Sequence, residues 1–257
     1  MAVALSGGKD SSAVLYILNS IIGPRKDMEL FAIIVDEGSG DYRKQCVSRA
    51  KKLCEKLGVE YRVFTFKKEL GRSMAERMKS AGVSEACTYC GVGRRSLMNR
   101  AARQMKATKL AVGHNLDDEV QAALMNYLRG DMARAARMAP VTDYSLSRKH
   151  GKLFIPRIKP FREIPERETA LYAYLMGFDI YEGKCRFAGG VRFETKDFVN
   201  RMEDRYPGIK FTILETFDKL NPFMRQLAEK GGPLKLCKVC GEPSAKDVCK
   251  TCELWGD

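Results

Sequence analysis

The sequence predicts an α/β fold: a doubly wound parallel sheet, with a small cysteine-rich unit at its C-terminal end. Three observations predict it. Short apolar runs alternate with amphipathic helical patterns, as parallel sheets with crossover helices require. Two of those runs, ending at Leu5 and Val112, lead into glycine-containing turns that open helices. Four cysteines then follow a Gly231-Gly232-Pro233 break, which divides the chain into residues 1–232 and 233–257.

The apolar run Met1 to Leu5 is the first strand. Ser6-Gly7-Gly8-Lys9-Asp10-Ser11-Ser12 follows, and Ala13, Val14, Ile17, Leu18 and Ile21 then fall at helical spacing. Paired glycines let backbone N–H groups close on an anion, and the new helix adds the positive end of its dipole. Phosphate is the ligand this arrangement suits. The run lacks the Gly-x-x-x-x-Gly-Lys-Ser/Thr of a Walker A loop, so it does not support a P-loop NTPase.

Leu30 to Val35 reads as a buried strand whose carboxyl end opens at Asp36-Glu37-Gly38, facing the same side as the first turn. Cys46, Val47, Ala50, Leu53, Cys54 and Leu57 share one helical face closed by Gly58, so Cys46 and Cys54 are read as core. Val59 to Phe66 is a third strand and Glu69 to Ala81 a helix with packing methionines. Lys109 to Val112 is a fourth strand, leading through Gly113-His114-Asn115-Leu116-Asp117-Asp118 into a helix that reaches about Arg129. In such sheets ligands sit beyond the carboxyl ends of the strands, where both turns lie.

Residues 129–152 are polar and basic, with Arg129, Arg134, Arg137, Arg148 and Lys149, and read as a mobile surface loop: an RNA contact or an ordinary solvated connection. Phe154 to Ile158 is a short strand. Pro165 to Met176, Thr195 to Tyr206 and Ile213 to Lys230 are helical.

The 257 residues carry 45 Lys and Arg against 32 Asp and Glu, a net charge of +13 spread along the chain, which points to a nucleic-acid partner or to a basic solvated surface. No run of 18 apolar residues and no signal peptide is present, so a cytoplasmic location without a membrane is expected. Six of the nine cysteines fall in Cys-x-x-Cys pairs, a metal-binding pattern in a reducing compartment. No solenoid repeat or low-complexity linker occurs.

Cys237-x-x-Cys240 and Cys249-x-x-Cys252, eight residues apart, read as a zinc ribbon of four thiolates. A unit of about 25 residues cannot build its own core, so the metal would supply folding energy and leave no open catalytic position. Cys87-x-x-Cys90 with Cys185 is the other set: either a 4Fe-4S cluster with one open iron, or a redox-active pair plus a third thiol. Asp117 and Asp118 open a helix, as Mg²⁺ ligands or as helix caps; His114 beside them reads as a core or backbone-bonding residue.

Ser6 to Ser11, Cys87-Thr88-Tyr89-Cys90-Gly91-Val92-Gly93-Arg94-Arg95, Gly113 to Glu119, Cys185 and the terminal cysteines together resemble the tRNA 2-thiouridine synthases of the PP-loop superfamily, over nearly the whole chain. The resemblance implies the adenine nucleotide alpha hydrolase-like fold and a two-step reaction: ATP adenylates O2 of a tRNA uridine, and sulfur then displaces AMP. It implies an ATP site of Ala4, Ser6, Gly7, Gly8, Lys9, Asp10, Ser11, Ser12, Val35 and Gly113, with Arg94 on the phosphates. Asp118 would be Mg²⁺-linked or catalytic, and Cys87, Cys90 and Cys185 would hold the cluster as a carrier of sulfur rather than of electrons. A ubiquitin-like thiocarboxylate carrier or free sulfide would supply sulfur, and the family is commonly dimeric.

Cys-Thr-Tyr-Cys-Gly-Val before Arg94-Arg95 is more similar to the archaeal and eukaryotic wobble-uridine thiolases than to enzymes acting on T-loop 5-methyluridine. The alternatives are that T-loop activity, a cytidine-type thiolase, a tRNA-lysidine synthase, or a ribbon-bearing tRNA-binding protein whose PP-loop is not catalytic. Two departures stand out. The family usually carries an N-terminal zinc ribbon, whereas this chain opens on its first strand, as a truncated or differently started chain would. Arg186 follows Cys185 where the family often has proline.

Overall fold

The computed structural model describes residues 1–83, 85–142, 150–228 and 234–256. Strands β1 (Ala2–Ala4), β2 (Phe31–Asp36) and β3 (Glu60–Thr65) are separated by helices α1 (Lys9–Ile22) and α2 (Asp41–Leu57). Then come α3 (Phe66–Leu70), α4 (Met74–Ala81), α5 (Ala86–Gln104), β4 (Leu110–Ala111), α6 (Leu116–Leu128), α7 (Met132–Ala135), β5 (Val141–Thr142) and β6 (Arg157–Ile158). Helices α8 (Glu166–Leu175), α9 (Val191–Arg205) and α10 (Ile209–Ala228) follow, and the terminal unit has β7 (Lys235–Leu236), β8 (Pro243–Ser244) and α11 (Lys250–Trp255).

The main sheet runs β3-β2-β1-β4-β6-β5 and is parallel except for β5, which pairs antiparallel with β6. Period-two alternation sends Ala2, Phe31, Ile33, Val35 and Leu110 to one face and Val3, Leu5, Ala32, Ile34 and Ala111 to the other. Residues of α3, α4, α5 and α11 cover the first face; α1, α2 and part of α8 cover the second. Helices on both faces make the sheet doubly wound, as the sequence predicts. β1 lies between β2 and β4, so the turns leaving β1 and β4 face each other at the point where strand order reverses.

Several expectations are corrected. The helix expected over 69–81 is two helices, because Gly71 adopts φ +80 and Ser73 caps α4 through a reciprocal capping box with Glu76. Helix α5 was not read from the sequence at all. The expected strands 109–112 and 154–158 shorten to β4 and β6, while α9 and α10 each begin four residues earlier than expected. The loop reading of 129–152 fails for its first half: Ala135, Ala136 and Met138 are buried in a small core with Phe217 and Met224 of α10. Arg148 and Lys149, and the Gly231-Gly232-Pro233 boundary, lie outside the described residues.

Candidate active site

The turn after β1 is built by its own side chains. Ser6 and Ser11 hydroxyls meet at 2.8 Å, the Ser6 N–H donates to Ser11 Oγ, and the Gly8 N–H donates to Ser6 Oγ. Gly7 has φ +83, and a Cβ there would stand 2.1 Å from the Cys46 carbonyl oxygen. Gly8 is the N-cap of α1 and offers no side chain to its first amides. Gly113 presses on the same turn, since a Cβ would come within 2.8 Å of the Ser11 nitrogen. The two glycine turns are thus in contact across the switch point.

Arg43 fixes this turn from behind. Its guanidinium donates to the Ser6 carbonyl at 2.6 Å and to the Val35 carbonyl, and Glu37 lies 2.6 Å away; both side chains are buried. Glu37 also lies 3.6 Å from Arg94 on α5. Burial opposes the Arg94 charge, but Glu37, with Cys90, Tyr42 and Cys185, more than offsets it and raises the guanidinium pKa. A chain of charges therefore runs from the turn, through Arg43 and Glu37, to Arg94.

Arg94 stands one turn beyond Cys90. Cys87 and Cys90 occupy the first turn of α5, and the Cys87 thiol approaches the Phe187 carbonyl at 3.8 Å, two residues beyond Cys185. Burial pushes the half-buried Cys90 thiol up to about 11, against the pull of Arg94, with Glu37, Cys185 and Cys87 adding to the rise. The irregular segment carrying Cys185 is docked on α2 by Tyr181 against Tyr42, ring centroids 6.0 Å apart, and by Asp179 on Arg49 at 2.8 Å. The three cysteines thus share one neighbourhood with Arg94, built by α5 and the segment before α9.

The PP-loop domain family matches residues 1–176, more than half of the chain. The chain is 36% identical to the tRNA 2-thiolation protein NcsA of Haloferax volcanii, over 98% of its own length and 80% of the relative's. It belongs to the PP-loop tRNA 2-thiolation family. The tRNA-5-methyluridine(54) 2-sulfurtransferase of Pyrococcus horikoshii is 32% identical, over 99% of this chain and 77% of that one. Among solved structures, the U34-tRNA thiolase NcsA of Methanococcus maripaludis, with its [4Fe-4S] cluster, superposes with a TM-score of 0.82 at 35% identity, covering 98% of this chain and 78% of that one.

Within this thiolation-family chain, Asp118 stands in the first turn of α6. It completes a capping box on α6, its N–H donating to Asn115 Oδ1 while its own carboxylate accepts from the Asn115 N–H, and Arg192 of α9 reaches its other oxygen at 2.5 Å. Asp117 is buried, accepting from the Glu166 N–H at 2.7 Å and from Lys210. His114 is exposed rather than packed.

Beside Asp118 is a pocket of about 180 Å³ lined by Asp10, Asn115, Gln121, Glu166, Arg192, Phe193 and Lys196. Asp10 accepts from Asn115 and Thr169, and Lys9 bridges Asp10 and Glu166 at 2.9 Å each. Burial favours the neutral Glu166 acid, yet Lys196 and Lys9 reverse this and lower its pKa. Gln121 is 4% exposed, and its Oε1 has no hydrogen-bond partner. Of the other residues expected at the nucleotide, Ser12 and Val35 are buried and Ala4 is half-buried.

The four terminal cysteines converge, their sulfurs all within 4.8 Å of one another. Cys240 and Cys249 sulfurs are 3.6 Å apart, and those of Cys237 and Cys252 3.9 Å. A tetrahedron of bonds of about 2.3 Å around one zinc ion has edges of about 3.8 Å. Backbone N–H groups of Cys240 and Cys249 pull the Cys237 thiol down to about 6, whereas burial pushes the Cys240 and Cys252 thiols up. Cys87, Cys90 and Cys185 do not form such a tight set among the described residues.

Sequence reasoning missed Arg43, Glu37 as a link, Gln121, Glu166, Arg192 and Lys196. Arg43 did leave a signal: it precedes Cys46 and Val47 by three and four positions, on the apolar stripe of α2. A charged residue on a buried face needs a buried partner.

Proposed function

We propose that the protein is an ATP-dependent tRNA 2-thiolase acting on the wobble uridine. The observation that carries this is the Ser6–Arg43–Glu37–Arg94 chain, which ties a phosphate-binding turn to three clustered thiols. In the first step the uridine O2 forms a bond to the α-phosphorus of ATP while the α–β phosphate bond breaks and pyrophosphate leaves. In the second a sulfur nucleophile forms the C2–S bond and AMP departs with the former O2. Ser6, Gly7, Gly8, Asp10, Ser11 and Gly113 hold the nucleotide, and the amides of α1 with Arg94 stabilise charge on the phosphates.

Asp118, which lines the pocket, would take the metal-linked or catalytic role, and Mg²⁺ ligation there requires Arg192 to turn away. The pocket, well below the ~300–1,000 Å³ of sites that enclose whole drug-sized ligands, suits a single base. Phe193 lines the pocket, and the unpartnered Gln121 Oε1 is a hydrogen-bond acceptor for the base. The wider approach is basic: burial and then Arg157, Arg134 and Arg94 push the Arg95 guanidinium down to about 10, a crowding of like charge that a tRNA backbone would relieve.

Cys87, Cys90 and Cys185 would hold a 4Fe-4S cluster, whose open iron supplies a soft site for sulfide. Cys237, Cys240, Cys249 and Cys252 would hold structural Zn²⁺. Sulfur comes from a ubiquitin-like thiocarboxylate carrier or as free sulfide, in a cytoplasmic homodimer. No helix among the described residues is long and apolar enough to cross a membrane. Within its family the chain resembles wobble-uridine thiolases and a T-loop enzyme, so position is the decisive test. Mass spectrometry of nuclease fragments of tRNA treated with the protein, ATP and sulfide should find 2-thiouridine in the anticodon fragment; sulfur confined to the T-loop fragment would reject the wobble assignment.

A further inference from the structure

Helix α11 carries Cys252 and, three residues after it, Trp255. Cys249 caps this helix through its sulfur, which accepts from the Cys252 N–H, so the helix start and the four-thiolate set are one piece of structure. Trp255 is 5% exposed and packs edge-on against Phe66, centroids 4.9 Å apart at 83°, and against Tyr89 at 6.2 Å. Its indole N–H donates to the Tyr89 carbonyl at 3.2 Å. Tyr89 lies between Cys87 and Cys90. Farther along α5, Arg103 forms a two-pronged pair with Glu242 of the same terminal unit. The unit therefore grips α5 at both ends, and one grip falls on the peptide between the two thiols.

We propose that the four-cysteine unit is a clamp on the sulfur site: metal at Cys237, Cys240, Cys249 and Cys252 fixes α11, and Trp255 in turn holds the Cys87–Cys90 turn in place. Trp255 is a positioning residue. The inference rests on the reading of the terminal cysteines as a metal site, since so short a unit has no core of its own to fix the cysteine turns and the start of α11. Losing the terminal metal then loosens Cys90 without unfolding the sheet.

Peptide-resolved alkylation of the whole, iron-free protein tests this, with N-ethylmaleimide as the probe. Cys54 is the internal control, being 0% exposed in the core on the opposite face of the sheet. Treatment with a zinc chelator should speed Cys90 labelling roughly three- to tenfold, the range that loss of a hydrogen bond and its packing gives, while Cys54 labelling stays unchanged. Trp255→Phe keeps a ring and drops the N–H, and should speed Cys90 labelling with the metal still bound. In the reconstituted protein the same variant should lose the cluster's visible absorbance faster in air. Elemental analysis separates the two readings. A protein binding no metal at the terminal cysteines contradicts the metal reading and the clamp together. Bound metal whose removal leaves Cys90 unchanged overturns the clamp alone, as does a parallel rise at Cys54.

Discussion

Glu37 Oε2 lies 2.6 Å from the Arg43 Nε, and both side chains are buried beneath the turn that follows β1. Because Arg43 also reaches the carbonyls of Ser6 and Val35, this pair joins the end of β2 to the turn after β1. Glu37→Ala leaves a buried guanidinium without its counter-charge, a change that destabilises by about 3–5 kcal/mol. The expected outcome is a Tm lower by roughly 10 °C for a domain of this size, with a weaker affinity for ATP, measured by scanning calorimetry and nucleotide titration. Arg43→Lys should behave similarly, since an ammonium cannot make the forked contact.

Gly113→Ala places a methyl group 2.8 Å from the Ser11 nitrogen, against backbone that cannot swing aside. Overpacking of this kind costs about 1–3 kcal/mol. Pyrophosphate release should fall about tenfold or more, the rate equivalent of ~1.4 kcal/mol, while circular dichroism remains that of the parent. An unchanged rate would show that the two turns do not act as one site.

Arg192 occupies an oxygen of Asp118, so any cation at that carboxylate competes with it. Replacing Arg192 with leucine should lower the Mg²⁺ concentration giving half-maximal pyrophosphate release, by a few-fold for an exposed pair worth up to ~1 kcal/mol. A higher Mg²⁺ requirement in the variant would place the metal elsewhere.

The Cys54 thiol sits in the core against the sheet, where burial first, and then Glu55, pushes its pKa up to about 12. Folding holds this proton more tightly than the unfolded chain does. The resulting stability is fully present below the ordinary thiol value of 9 and is lost as pH rises from there through about 12. Cys54→Ala should therefore flatten the alkaline limb of stability against pH in that window, as read by urea unfolding.

These residues show what was legible before the structure. The β1 turn, the Gly113 turn and the parallel order were readable because apolar period, glycine and helix onset are local signals. Cys46 and Cys54 were placed correctly in the core for the same reason. Helix α5 was not read, since Cys87 to Gly93 has two glycines and little helical periodicity, and its helical state depends on Phe66, Trp255 and the sheet beneath it. The Arg192–Asp118 and Lys196–Glu166 contacts join residues far apart in sequence, and no local pattern pairs them. An Asp in a first helical turn reads equally as metal ligand or cap; only the distances to Asn115 show Asp118 capping α6.

The central claim, that the nucleotide turn and the three thiols serve one reacting base, is tested most directly by Cys185→Ser assayed for both half-reactions on the same tRNA. Pyrophosphate release dependent on tRNA should persist, because Cys185 lies outside the phosphate turn, while 2-thiouridine measured by mass spectrometry should fall below detection. Undiminished thiouridine from the variant would contradict the account.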